Sequence, residues 1–188
     1  AGALATTIIL RPELPSRRVG CVSLAAAVAL RELCGERFGI KWPNDLLGPD
    51  GRKVAGVLCE LEMRRGAIDF VLVGIGLNLR HAPADVPHAA CLADYQAAVP
   101  ETATAAARLV TLLDDAIGLL QRDPAQLLDR WRAGAVTLGQ RVTIGGTEGE
   151  ATGITTEGAL IVTTDDGAAI VAHAGDVQHI GIQPSGIT

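Results

Sequence analysis

Apolar residues fall into short runs separated by turn formers, and the spacing within each run predicts its element. Residues 4–10 are apolar and β-branched and are stopped by Pro12, which predicts a strand. The Ala/Leu-rich stretch 19–33, with Ser16 before it as a cap and Gly35 after it, predicts a helix. Residues 40–42 predict a short strand halted by Pro43. Two longer runs, 54–62 and 69–77, are joined through Arg64-Arg65-Gly66 and predict an antiparallel hairpin. Residues 81–100 carry prolines and no lasting period, which predicts a surface loop with at most a short helical turn. Ala105, Leu109, Leu112, Leu113, Ile117 and Leu120 then recur at three and four, so 101–122 reads as a helix with one apolar face. Pro124 opens a shorter helix through Trp131 that ends at Gly134.

After Gly134 the pattern changes. Residues 138–183 are rich in Gly, Thr, Val and Ile, with strands expected at 141–144, 149–155, 159–164, 168–172 and 177–182. Gly145-Gly146, Glu157-Gly158 and Asp166-Gly167 supply the turns, and strands this short and numerous predict a small barrel. The expected fold class is α+β: a mixed β-sheet domain packed by helices over 1–134, then a small β-barrel over 135–188.

A length of 188 residues suits one domain plus a small module. The net charge of −5 and the count of two Trp, one Tyr and two Phe argue against a nucleic-acid module. Cys21, Cys34, Cys59 and Cys91 are far apart, without metal-ligand spacing, and read as core thiols of a reducing cytoplasm. No apolar run is long enough to span a bilayer. The chain opens at Ala1 and passes almost at once into a strand, so residues upstream are expected to be missing.

Three segments carry candidate chemistry. In Lys41-Trp42-Pro43-Asn44-Asp45, two polar side chains follow a strand and a proline; the plainer reading is a Pro-Asn-Asp turn. In Gly51-Arg52-Lys53-Val54-Ala55-Gly56-Val57-Leu58, basic residues at a strand start face a phosphate or carboxylate, or only protect the strand end. In Val73-Gly74-Ile75-Gly76-Leu77-Asn78, two glycines bare one face of a strand, for a ligand or for a neighbouring helix. This last is not the dinucleotide fingerprint, which needs a third glycine and a following helix.

Together, in this order and spacing, the three segments resemble the catalytic domain of biotin–protein ligases, with Lys-Trp-Pro-Asn-Asp the most characteristic part. Gly153-Ile154, Gly158-Ala159-Leu160 and Ala174-Gly175-Asp176-Val177 are similar to that family's C-terminal SH3-like barrel. The resemblance implies an ATP-dependent ligase that forms biotinyl-5'-AMP and transfers biotin to a lysine of a carboxylase's biotin carboxyl carrier domain. It implies that Lys53 is the reaction-centre lysine, contacting the biotin carboxylate and then the adenylate. Gly56, Val57 and Leu58 would line the biotin pocket, and Gly74 and Gly76 would let the ring lie close to the sheet. Asn44, Lys53 and Asn78 would hold the nucleotide, the two asparagines with Mg2+, and Asp45 would position and deprotonate the acceptor lysine. The family's Gly-Arg-Gly-Arg-x-Gly-Arg loop, upstream of the strand matching 4–10, has no counterpart within 1–188, so the chain alone is expected to bind biotin weakly and catalyse poorly. Gln178-His179-Ile180-Gly181 also offers no arginine where some members reach the nucleotide from the barrel. The alternatives are a lipoate–protein ligase, or a non-catalytic remnant acting as a binding or dimerising module. An exposed face of the second hairpin is a candidate homodimer contact.

Overall fold

The computed structural model describes residues 2–175 and 177–180. A five-stranded sheet takes the order β1-β5-β4-β3-β2 (Ala3–Leu10, Ala67–Asn78, Lys53–Arg64, Asp45–Leu47, Gly39–Lys41). Every ladder in it is antiparallel, and the mixed pairing expected is confined to two isolated parallel bridges, Ile40 with Ala135 and Lys53 with Ala89. The long hairpin forms where Arg64-Arg65-Gly66 placed it. Arg65 and Gly66 both take positive φ, the two-residue turn that follows strand twist.

Three helices cover one face of this sheet: α1 (Gly20–Cys34), α2 (Thr102–Arg122) and α3 (Pro124–Gly134). α1 is buried almost all round, from Cys21 to Leu30 apart from Ser23, because it lies between the sheet and the other two helices. α2 buries Ala105, Leu109, Leu113, Ile117 and Leu120 as its period predicted. Asp123 caps α3 by accepting from the Gln126 amide at 3.1 Å, with Pro124 at the first helical position. No helix among the described residues is long and apolar enough to cross a membrane.

The expected loop 81–100, which the structure begins at 79, does contain a single 3-10 turn, Leu92–Asp94. One strand was not foreseen. β3 follows Lys41-Trp42-Pro43-Asn44 directly, and Lys41 pairs with Asp45, so the polar segment is the turn of a hairpin. Three residues of strand are too few for an alternation to show.

The C-terminal strands β6 (Arg141–Ile144), β7 (Thr147–Ile154), β8 (Leu160–Thr163), β9 (Ala169–Ala172) and β10 (Val177–His179) form a second antiparallel sheet, ordered β10-β6-β7-β8-β9. Among the described residues no ladder joins β9 to β10, and residues 181 and 182 of the expected last strand lie outside them. This sheet shares one apolar core with the helices. Buried Trp42 makes the join: its indole donates to the Gly158 carbonyl at 3.0 Å, and its backbone N–H donates to Thr137 Oγ1 at 2.9 Å. Gly158 has φ +84° and sits against α1, where an added Cβ would be 2.9 Å from Leu24 Cδ1. Only glycine meets both demands.

Thr137 is fully buried and polar. Thr137→Val keeps its shape but strands the Trp42 N–H, so urea unfolding is expected to show a loss of about 1–3 kcal/mol. An unchanged midpoint would show that this bond does not secure the join.

Candidate active site

The site grows from an irregularity in β4. Asp45 pairs with Gly56 and Leu46 with Ala55, but Leu47 pairs with Lys53, so Val54 is an extra residue on β4. In a regular strand, positions 53 and 56 would face opposite sides of the sheet. The bulge instead turns both Val54 and Ala55 inward, at 0% and 3% exposure, and brings Lys53 round to the face of Gly56. There Lys53 Nζ lies 2.5 Å from Asp45 Oδ1. An added Cβ at Gly56 would sit 3.1 Å from Lys53 Cε and Nζ and 3.3 Å from Asp45 Oδ1. The missing side chain is therefore the space in which the ion pair lies.

Loop 79–100 fixes the backbone of Lys53. Its N–H donates to the His88 carbonyl, and its carbonyl accepts from the Ala90 N–H, both at 2.8 Å. Asn44 fixes the strand from the other side: its side-chain amide donates to the Val57 carbonyl at 2.6 Å, and its carbonyl accepts from the Val57 N–H at 2.9 Å. The Trp42–Pro43 peptide bond in this turn is cis.

A cleft of about 770 Å³ opens beside the pair. Asn44, Asp45, Lys53, Val57, Leu58 and Cys59 line it from the first sheet and its polar turn, Ser16 and Arg17 from the 3-10 turn Ser16–Arg18 that precedes α1, and Glu157–Ala159 and His173–Gly175 from loops of the second sheet. Burial pushes the Cys59 thiol up to about 11, so it stays protonated and inert at neutral pH.

Of the residues expected at a site, Asn44, Asp45, Lys53, Val57 and Leu58 line this cleft, and Gly56 lies directly beneath the ion pair. Gly76 is the register partner of Gly56, and Gly74 that of Leu58, so both glycines share the outer sheet face but stand outside the cleft. Leu58, at 63% exposure, and Ile9, at 57%, flank this bare track. An added Cβ at Gly76 would meet nothing within 4 Å, so packing against a helix does not explain it. Asn78, at the end of β5, donates its side-chain amide to the Ala90 carbonyl at 2.9 Å and also lies outside the cleft. Among the described residues no three His, Cys, Asp or Glu side chains cluster to hold a metal.

Sequence reasoning missed a second cleft of about 550 Å³ that also reaches Lys41, Asp45 and Lys53. One wall is the turn Gly48–Gly51, held by Tyr95, whose hydroxyl donates to Asp50 while Arg52 donates to the same carboxylate at 2.8 Å. Burial works against the Asp50 charge, but these two donors outweigh it and leave the carboxyl below its ordinary value. His179 also lines this cleft; burial first and the Lys41 ammonium second lower its pKa, which favours the neutral imidazole.

Residues 1–78 match the biotin/lipoate A/B protein ligase family, and residues 137–180 match the biotin protein ligase C-terminal domain. The chain is 35% identical over 181 residues to the biotin–[acetyl-CoA-carboxylase] ligase of Mycobacterium tuberculosis, covering 89% of this chain and 65% of the relative. It is 31% identical to the bifunctional ligase/repressor BirA of Bacillus subtilis, covering 86% of this chain and 54% of that protein. The chain thus spans between half and two thirds of these relatives. A solved structure of the Aquifex aeolicus biotin protein ligase in complex with biotin and ATP superposes with a TM-score of 0.74, covering 95% of this chain and 79% of that one. At 21% identity that likeness speaks for the fold. Two family models, relatives along most of the chain and a shared fold agree: the chain belongs to the biotin protein ligase family.

Proposed function

We propose that this chain carries the reaction centre of an ATP-dependent biotin–protein ligase, with residues 1–134 as catalytic domain and 135–188 as C-terminal module. The observation that carries the reading is the Lys53–Asp45 pair, set by a bulge over Gly56 at the floor of a cleft. The relatives' names and the biotin and ATP bound by the Aquifex aeolicus protein support the substrates. The four free thiols agree with a cytoplasmic setting.

In the first half-reaction a biotin carboxylate oxygen attacks the α-phosphorus of ATP, and the bond from that phosphorus to the pyrophosphate oxygen breaks. Lys53 lies where an ammonium stabilises the incoming carboxylate and the charge on the phosphoryl oxygens. Val57 and Leu58 offer apolar contact in the cleft, Gly56 leaves room for the ion pair that meets the carboxylate, and the shallow track over Gly74 and Gly76 lets the planar ureido ring lie close to the sheet. Asn44 and Asn78 are neutral oxygen donors, which suits a magnesium ion held mostly by phosphate and water rather than by a protein cage. Such an ion would neutralise the departing pyrophosphate.

In the second half-reaction the acceptor amine attacks the acyl carbon, the C–O bond to AMP breaks, and AMP leaves with the electron pair. A free lysine of pKa about 10.4 is only ~0.1% neutral at pH 7, so a carboxylate that takes the proton during attack is needed. Asp45 is the cleft carboxylate paired with the reaction-centre lysine. The acceptor is a biotin carboxyl carrier domain of a carboxylase.

Asp45→Asn is expected to slow transfer to the acceptor about 100-fold, within the usual range for a general base, while adenylate formation falls less. Separate assays of the two half-reactions check this, and equal losses would remove Asp45 from the proton-accepting role. Gly56→Ala crowds the ends of the Lys53 and Asp45 side chains and no backbone, so the urea midpoint should barely move while biotin-dependent pyrophosphate exchange falls about tenfold. Unchanged exchange would show that the space over Gly56 is not part of the site.

A further inference from the structure

Trp42 is the second residue of the turn that carries Asn44 and Asp45, and its amide lies where one edge of the first sheet runs out. β2 is the last strand of that sheet, and residues 135 and 136 run beside it. Ile40 bridges to Ala135 in parallel, and the Val136 N–H donates to the Ile40 carbonyl at 2.9 Å. At the Trp42 N–H a side chain replaces backbone as the partner: Thr137 Oγ1 accepts it at 2.9 Å. That hydroxyl is fully buried, so its own proton needs an acceptor from the protein. The ring of His179, on β10 of the second sheet, supplies one, with Nε2 3.3 Å from the same oxygen.

A hydroxyl has one proton to give. With the Trp42 N–H directed at its oxygen, that proton turns to His179, and Nε2 is then the bare nitrogen of a neutral ring. The three groups form one chain, from amide to hydroxyl to imidazole, in which each bond strengthens the next. We propose that His179 is a positioning residue of the ligase site: by accepting the Thr137 proton it holds the Trp42 amide, and through it the turn that presents Asn44 and Asp45. On the ligase reading, on which this role rests, the second sheet governs the carboxylate without touching it.

The surroundings keep the ring in that state. Lys41, Asp45, Asp50, Lys53 and His88 line the same cleft as His179. Both carboxylates are engaged elsewhere, Asp45 with Lys53 and Asp50 with Arg52 and Tyr95. On the neighbouring β6, Arg141 meets Asp165. Burial and the Lys41 ammonium both oppose a proton on the ring. A proton that does arrive on Nε2 turns an acceptor into a donor, and the buried Thr137 hydroxyl proton loses its partner. The hydroxyl then no longer holds one orientation for the Trp42 amide. The Trp42 indole stays bonded to the Gly158 carbonyl, so the turn loosens while the module remains in place.

Two readouts test this role. The Trp42 amide proton, followed by NMR between about pH 5 and 8, should shift with the same midpoint as the His179 ring, and in His179→Gln it should not shift. Biotin transfer to a purified carboxyl carrier domain should fall on the acid side with that midpoint, below histidine's ordinary value, and His179→Gln should lose this limb. Glutamine keeps an acceptor for the Thr137 hydroxyl and should hold the parent rate at neutral pH. His179→Phe fills the space of the ring without an acceptor and should lower kcat for transfer about tenfold, with an unchanged KM for the carrier domain. In a Thr137→Val background the same change should cost nothing further, since the relay is already broken. A Trp42 amide that ignores the His179 titration would overturn the proposal. So would equal losses in His179→Gln and His179→Phe, which would make the ring mere packing. A parent chain without biotin-dependent exchange would remove the ligase reading, and the Trp42 amide would still decide the relay.

Discussion

One extra residue in β4 organises the site. With Val54 inserted, two successive side chains turn into the core and the lysine before them emerges on the outer face. Without it, strand alternation would send Lys53 away from Asp45 and Gly56. The bulge costs little because Val54 and Ala55 are both apolar and buried, and because the N–H of Lys53 donates to the His88 carbonyl and its carbonyl accepts from the Ala90 N–H. A salt bridge this exposed contributes little to stability. Its worth lies in holding a cation and a carboxylate together where two clefts meet.

The second sheet belongs to the same construction. Trp42 is both the second residue of the polar turn and the side chain on which the C-terminal module rests, through Gly158 and Thr137. The turn that ends in Asp45 is therefore clamped from inside by the module that supplies part of the cleft's rim. A loosened module would disturb the position of Asp45 without touching it.

Much of this was legible in the residues. The helix spacing at 105–120, the Arg65-Gly66 turn and the glycine-marked strands after Gly134 each follow from local rules that the tertiary structure does not override. The grouping of Lys53, Asp45 and Asn44 was legible only through the resemblance carried by Lys-Trp-Pro-Asn-Asp and the segments after it. By alternation alone, Lys53 and Gly56 fall on opposite faces, and nothing in Lys53-Val54-Ala55-Gly56 announces a bulge. β3 was hidden by its length. The role of loop 79–100 was hidden because its contact with Lys53 is made by backbone, which any sequence supplies. The second cleft is assembled from stretches spread between Lys41 and His179, and no local pattern marks it.

The central claim is that the bulge-set Lys53 is the cation on which biotin activation turns. Biotin-dependent exchange of labelled pyrophosphate into ATP, measured for this chain and for Lys53→Met, tests it most directly. The account predicts slow but biotin-dependent exchange that Lys53→Met abolishes. Exchange that survives the loss of Lys53, or no biotin-dependent exchange at all, would contradict it.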